Sequence, residues 1–218
     1  MLKEILRECK LFKGLNEKLI NELLNYIEKC SYKKGEFIIW KGEENTDMYI
    51  ILDGKVNVMA FDEKGNELIL TTLYKGDIVG ELSLVDGKPR SMSVEAITNV
   101  EVAVLKRKYF LEVAKKYPEL CLNLAKNLAE KIRETDKMLE YLVFLDVKRR
   151  IIKFFIENNI GKENNNYKIN KMTHSEIAKR IGASREAVTK AMKNLIKNKV
   201  LLEKENFYIL KSNSIYEE

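Results

Sequence analysis

Two stretches of this sequence combine side chains whose types and spacing can do chemistry. The first is Gly80-Glu-Leu-Ser-Leu-Val-Asp-Gly-Lys-Pro-Arg90-Ser91. A turn able to expose backbone N–H groups here precedes an arginine and a serine, a combination that can cradle a phosphate. Arg90 brings a charge-assisted fork and Ser91 a hydroxyl donor. Glu81 has the wrong sign for a phosphate and suits a ribose hydroxyl instead. On its own the stretch reads better as a strand-end turn with a surface ion pair, so its context must decide.

The second stretch is a pair of helices. Thr173-His-Ser-Glu176 spells a capping box, in which Thr173 caps a helix and Glu176 reaches back to it. The helix it opens, Ser175–Ile181, sets Ile177, Ala178 and Ile181 on one face. Gly182-Ala-Ser184 then makes a tight turn, with Gly182 free to take the left-handed conformation. A second helix, capped by Ser184, is predicted from about Arg185 to Asn198, with Val188, Met192, Leu195 and Ile196 inward. Leu201–Leu202 and Phe207–Leu210, split by Glu-Lys-Glu-Asn206, read as the two strands of a wing. Helix, glycine turn and second helix form a helix-turn-helix signature.

Arg185, Glu186, Thr189 and Lys190 share the outward face of that second helix. The N-terminal end of such a helix is the part that reaches base edges in DNA. Arginine can bond guanine O6 and N7 together, and glutamate can accept from cytosine N4. A glutamate aimed at DNA otherwise repels phosphate, so its place on a basic face favours base reading over a solvated surface with ordinary charge pairs. His174, in the first turn of the first helix, reads as a neutral surface or capping histidine.

The charge distribution agrees. Of 39 Lys/Arg and 33 Asp/Glu residues, 14 and 8 lie from Arg150 onward, leaving 25 of each before it. The whole excess of +6 sits in the last third, as in a polyanion-binding domain joined to a neutral one with another partner. Cys9, Cys30 and Cys121 are far apart, and one histidine cannot build a multi-histidine centre. Neither a disulfide framework nor a metal site is expected. No nucleophile–base pair appears, which points away from an enzyme. There is no run of about 18 apolar residues, and the amphipathic start Met1-Leu-Lys-Glu-Ile-Leu-Arg-Glu-Cys9 does not read as a signal peptide. A cytoplasmic protein with no membrane partner is the expectation.

The elements that must hold these residues follow from periodicity. Leu2, Ile5, Leu6, Leu15, Leu19, Leu23, Leu24 and Ile27 recur with a helical period over the first 30 residues. From Tyr32 short β-rich runs alternate with glycine turns: Phe37–Trp40, Met48–Leu52, Val56–Phe61, Leu68–Leu73, Ile78–Val79, Ser91–Ala96 and Val100–Leu105. This pattern predicts a small antiparallel roll or barrel. After Pro118 a long helix is predicted to near Leu145. Its stripe of Cys121, Ala125, Leu128, Ile132, Thr135, Leu139 and Leu142 alternates steps of four and three, the seam of a coiled coil that pairs two chains. A helix packed on its own roll is the alternative. Thr135 is the polar position of that seam, and it either fixes register or faces something that needs a hydroxyl. A helix over Val147–Asn158 and a polar loop, Gly161-Lys-Glu-Asn-Asn-Asn166, come next. The expected fold class is α+β. It comprises a β-roll (a double-stranded jelly roll) with N-terminal helices over residues 1–117, a dimerisation helix over 118–145, and a winged helix-turn-helix over 146–218.

The whole chain resembles the CRP/FNR family of transcription regulators. Leu11-Phe-Lys-Gly-Leu15, Tyr32-Lys-Lys-Gly-Glu36, Gly42-Glu43, Met48-Tyr-Ile-Ile-Leu-Asp-Gly54 and Gly76-Asp-Ile-Val-Gly-Glu-Leu82 follow its β-roll pattern. Phe144-Leu-Asp-Val147 resembles its hinge, and the helix-turn-helix matches in order and spacing. The resemblance implies a cyclic-nucleotide-binding β-roll in which Gly80 and Leu82 shape the turn, Glu81 holds the ribose, and Arg90 with Ser91 bind the cyclic phosphate. Cyclic AMP or another cyclic nucleotide is the implied effector, with no cofactor required. Thr135 falls where the dimer helix of a family member touches the purine. Asp136 stands in place of a serine that recognises adenine from the partner chain, and Met92 replaces a small residue usual after Arg-Ser.

In the second domain, Ser184-Arg-Glu-Ala-Val-Thr-Lys190 resembles the family's Arg-Glu-x-x-x-Arg reader. The resemblance implies that Arg185, Glu186 and Lys190, with Thr173, Ser184 and Thr189 beside them, meet a TGTGA-like half-site. Lysine at 190 lacks the planar fork of arginine, so its guanine is held less strictly. The implied protein is a homodimer on double-stranded DNA, gated by a small nucleotide effector and meeting RNA polymerase if it activates. An oxygen sensor of this family would need a cysteine cluster near the N-terminus, and a haem sensor a ligand in the roll. The remaining alternative is a nucleotide-binding module whose winged helix docks a protein.

Overall fold

The structure, a computed structural model, describes residues 2–212. It divides into two compact units: the chain up to Asp62 with Ile69–Arg133, and Glu63–Leu68 with the chain from Glu134 onward.

In the first unit, α1 (Leu2–Glu8) and α2 (Glu17–Leu24) precede the strands. The Asn16 side chain caps α2 by accepting from the Leu19 N–H. Six strands follow: β1 (Ile27–Tyr32), β2 (Phe37–Ile39), β3 (Met48–Asp53), β4 (Val56–Phe61), β5 (Glu67–Leu73) and β6 (Ile78–Val79). After α3 (Glu81–Asp86) come β7 (Ser93–Ala96), β8 (Val100–Leu105) and α4 (Arg107–Lys116), and then the 27-residue α5 (Pro118–Phe144). The strands make two antiparallel sheets, β1-β8-β3-β6 and β2-β7-β4-β5. Strand β3 shows how the layers form. Met48, Ile50 and Leu52 face a core built with Leu6, Phe12, Leu19 and Leu120 of the helices and the segments between them. Tyr49 and Ile51 alternate to the other side, into a core shared with Ile39, Val56, Leu73 and Val94 of the second sheet.

The second unit opens with the last turns of α5 and continues through α6 (Val147–Glu157), β9 (Gly161–Glu163), β10 (Asn166–Asn170), α7 (His174–Ile181), α8 (Arg185–Lys197), β11 (Leu201–Glu203) and β12 (Phe207–Leu210). Its sheet runs β11-β12-β10-β9. Ile151, Phe155, Ile177, Val188, Met192 and Leu195 fill the core beneath it. The α+β class therefore holds, with a roll of antiparallel strands, a long helix and a winged helix-turn-helix. Among the described residues no helix is long and apolar enough to cross a membrane.

Several local expectations are corrected. Ile27 opens a strand rather than closing a helix: β1 pairs along β8 from Ile27↔Leu105 to Tyr32↔Val100. The span Gly80–Ser91 is more than a turn, since it contains α3, and β7 begins at Ser93 rather than Ser91. Helix α4 was not anticipated. The polar loop at 161–166 is a hairpin, β9–β10, turned by Asn164 and Asn165, both at positive φ (49° and 65°). Two successive left-handed residues are what a tight hairpin turn needs, and asparagine tolerates them.

Helix α5 uses two faces. Leu120 and Leu124 are buried in the first unit's core. Part of the seam stripe stays open on the single chain, with Ile132 61 % and Leu139 54 % exposed, while Leu128 packs against that core.

Candidate functional site

The first candidate site is built around Arg90. Its residue is only 4 % exposed. One terminal nitrogen, Nη1, donates to the Gly80 carbonyl at 3.1 Å. The other, Nη2, donates to Asn45 Oδ1 at 2.9 Å and to the Asp47 carbonyl at 2.6 Å. The guanidinium also stands 5.7 Å from the centre of the Tyr49 ring. Burial lowers its pKa from the ordinary arginine value, while Tyr49, Asp47 and Glu43 pull the other way. Arginine keeps its charge regardless. Burial likewise raises the Tyr49 phenol, against the pull of Arg90.

Arg90 Nε is buried and has no hydrogen-bond partner among the described residues. An unpaired buried N–H on a cation costs free energy until an acceptor arrives, and an anion oxygen is the acceptor that also answers its charge. Gly80 completes the cradle. It sits at φ +87° as the N-cap of α3, and a Cβ there would lie 2.6 Å from Arg90 Nη1 and 2.8 Å from the Asp47 carbonyl. Only glycine fits. The residues present therefore suit a phosphate-bearing ligand.

Glu81, 5 % exposed in the first turn of α3, is held by a residue that sequence reasoning did not single out. Lys131 of α5 reaches it, with Nζ 2.8 Å from Glu81 Oε1 and 3.1 Å from the Ile78 carbonyl. The pairing engages Oε1 and leaves Oε2 for a hydroxyl donor. Leu82 is exposed on α3, and Ser91 is exposed in the bend before β7. Arg90 and its neighbour Ser91 thus part company, one inward and one outward. Thr135 and Asp136 lie on exposed turns of α5 within the second unit. Asn45, Asp47 and Lys131 have no motif to announce them. They belong to the site because the sheets and α5 bring them to Arg90 and Glu81.

The second candidate site is the helix pair α7–α8. The capping box is complete: Glu176 N–H donates to Thr173 Oγ1 at 3.1 Å, and Thr173 N–H donates to Glu176 Oε2 at 2.8 Å. Gly182 closes α7 at φ +62°. Arg150 of α6 fastens this turn, its Nη1 donating to the carbonyls of Ile181 (2.7 Å) and Gly182 (3.0 Å). A cation on the last carbonyls of a helix suits the helix dipole. Ser184 Oγ then caps α8 by accepting from the Ala187 N–H at 3.2 Å.

With its ends fixed, α8 buries Val188, Ala191, Met192 and Leu195. Arg185, Glu186, Thr189, Lys190 and Lys193 line a shallow depression on its outer face. Lys193, one turn beyond Thr189, extends the face expected from the sequence. Thr189 is less free than expected: its hydroxyl donates to the Arg185 carbonyl at 2.8 Å and meets His174 Nδ1 at 2.9 Å. Its methyl is what remains for a neighbour, and a thymine methyl is the base group that matches it. Hairpin β11–β12 supplies the wing, with Leu202↔Ile209 in register.

Comparison with known proteins gives these two sites their context. A family model for the cyclic nucleotide-binding domain matches residues 29–117, and one for the Crp-like helix-turn-helix domain matches residues 141–213. The CRP-like cAMP-activated global transcriptional regulator of Mycobacterium tuberculosis is 32 % identical over 193 residues, 87 % of this chain and 86 % of that protein. The cyclic AMP receptor protein of Thermus thermophilus is 29 % identical over 194 residues, 88 % of this chain and 87 % of its own length. In fold, the chain is similar to the c-di-GMP responsive global regulator of Xanthomonas campestris. The TM-score is 0.78 at 19 % identity, over 90 % of this chain and 100 % of that one. An anion cradle in the roll and a capped, basic helix-turn-helix after it are the working parts these matches lead one to look for. The chain belongs to the CRP/FNR family of effector-gated, DNA-binding transcription regulators.

Proposed function

We propose that this regulator is gated by a cyclic mononucleotide, cyclic AMP before others, and reads TGTGA-like half-sites as a homodimer. The observation that carries the effector is Arg90, a buried cation with one N–H unanswered beside a turn that only glycine can make. In this reading Arg90 Nε donates to the cyclic phosphate, the exposed Ser91 hydroxyl adds a second donor, and Glu81 Oε2 accepts from the ribose. Gly80 and Leu82 shape the wall, and Thr135, with Asp136 beside it, faces the purine. Arg185, Glu186 and Lys190 read bases, while Thr173, Ser184 and Thr189 hold the reading end in place.

The same division assigns residues 1–117 to effector binding, 118–145 to pairing and 146–218 to DNA. The open seam of α5 supports pairing, and two recognition helices about 34 Å apart would meet successive major grooves. The effector acts as a bias, favouring the DNA-competent arrangement by its higher affinity for it. The role is that of a binding protein rather than a catalyst, exercised in the cytoplasm and through RNA polymerase where the effect is activation.

Titration calorimetry with cyclic AMP and with cyclic GMP tests the gate, with Arg90→Ala as control. Heat from one nucleotide that disappears in the variant supports the reading, and no heat from either removes the cyclic nucleotide. A gel shift on a TGTGA-N6-TCACA duplex that weakens with salt supports DNA reading. Absence of any shift would favour a winged helix that docks a protein.

A further inference from the structure

His174 is the single histidine of the chain. It opens α7 half-buried, and its Nδ1 lies 2.9 Å from Thr189 Oγ1 on α8. The threonine hydroxyl has one proton, and that proton is committed. Its oxygen stands 2.8 Å from the Arg185 carbonyl, which can only accept. Thr189 Oγ1 must therefore receive a hydrogen bond from the imidazole, and Nδ1 is the protonated nitrogen. With the opposite tautomer, one of these two short contacts would set lone pair against lone pair. The neutral ring thus carries its lone pair on Nε2, which has no protein partner among the described residues.

The surroundings decide what Nε2 can meet. The first helix of a helix-turn-helix crosses the DNA backbone, and helix N-termini are common phosphate contacts. Phosphate oxygens only accept. A neutral Nε2 would oppose its lone pair to theirs, whereas a protonated one gives a charge-assisted bond. On α8, Arg185, Glu186, Lys190 and Lys193 share the outer depression with Thr189, three cations and one carboxylate. On α7, the Glu176 carboxylate is turned back onto the Thr173 N–H. Ahead of the helix, Lys171 is paired with Glu203 at 2.7 Å.

We propose that DNA binding by this protein is proton-linked through His174, whose Nε2 takes up a proton as it meets a backbone phosphate. The proposal rests on the DNA-reading assignment of α8 above. The bound state holds up to one more proton per protomer than the free state, so affinity rises as pH falls.

The test uses tag-free, full-length protein with cyclic AMP and a TGTGA-N6-TCACA duplex, read by fluorescence anisotropy at constant low ionic strength. Phosphate contacts alone sustain binding there, whatever the half-site. Between about pH 8 and about pH 6 the wild type should tighten about fivefold per protomer. His174→Gln, which can keep an N–H on Thr189 but cannot titrate, should bind with no such slope. His174→Arg, always charged, should bind tightly at both values. Because there is one histidine, the imidazole C–H signal in proton NMR reads its charge directly, and it should stay protonated to higher pH when duplex is present. Wild-type binding independent of pH, an imidazole titration unchanged by duplex, or a slope retained in His174→Gln would overturn the proposal. Failure of the wild type and His174→Arg to bind at either pH would instead remove the DNA reading beneath it.

Discussion

Lys131 Nζ stands 2.8 Å from Glu81 Oε1, so a single ammonium on α5 fixes the carboxylate that opens α3. The pair is asymmetric, the glutamate side chain being 7 % exposed and the lysine 33 %. Lys131→Met should leave the buried Glu81 side chain without its ammonium partner and cost about 1–3 kcal/mol. That is at or below the usual cost of breaking a buried pair, because water still reaches the ammonium. Thermal melts should show a fall of several degrees, and Lys131→Arg should restore most of it.

Gly80→Ala tests the cradle without touching a charge. The new Cβ would lie 2.6 Å from Arg90 Nη1 in a left-handed conformation, so Arg90 must shift or the turn must open. Strain of this kind costs about 1–3 kcal/mol. Calorimetry with cyclic AMP should show affinity lost by about tenfold or more, while the winged helix keeps its own stability.

The seam of α5 makes a prediction about both mass and reactivity. Ile132→Glu should convert a dimer to a monomer in analytical ultracentrifugation, since a charge in a coiled-coil seam is strongly disfavoured. Cys30 and Cys121 are exposed on the single chain and Cys9 is buried, its thiol pushed up to about 11 by burial. With a disulfide reagent, Cys30 should react first. Cys121, a seam residue, should be shielded in the wild type and released in Ile132→Glu. Cys9 should react only on unfolding.

Base reading predicts a difference between two cations on α8. Arg185→Ala should cost about 1–3 kcal/mol of binding and relax preference at one base pair. Lys190→Arg should sharpen discrimination for guanine, because a planar fork replaces a point charge. A binding-site selection with each variant distinguishes the two outcomes.

What was legible in the sequence was local. The capping box, Gly182 and the Ser184 cap announce α7 and α8, because each is a hydrogen bond or backbone conformation settled within a few residues. Strand β1 was hidden because Glu28, Lys29, Cys30 and Ser31 are all exposed on an edge strand, leaving no alternation to see. Helices α3 and α4 lack a side-chain cap at Gly80 and Lys106, so nothing marks their start. The hairpin at Asn164 and Asn165 lacks the glycine that usually signals it. The candidate pocket was legible only in part. Glycine, glutamate and arginine stand close in sequence, but Asn45, Asp47 and Lys131 join them only through sheet pairing and helix packing.

The clamp on Arg90 has a consequence for time as well as for affinity. Its terminal nitrogens are fixed by Gly80, Asn45 and Asp47, all groups of the protein itself. A ligand therefore finds the donor already ordered and surrenders little rotamer entropy to it. Observed association rates should rise linearly with ligand concentration, without the plateau that a rearranging pocket imposes. Any slower step that follows then belongs to the transmission of the signal and not to its capture.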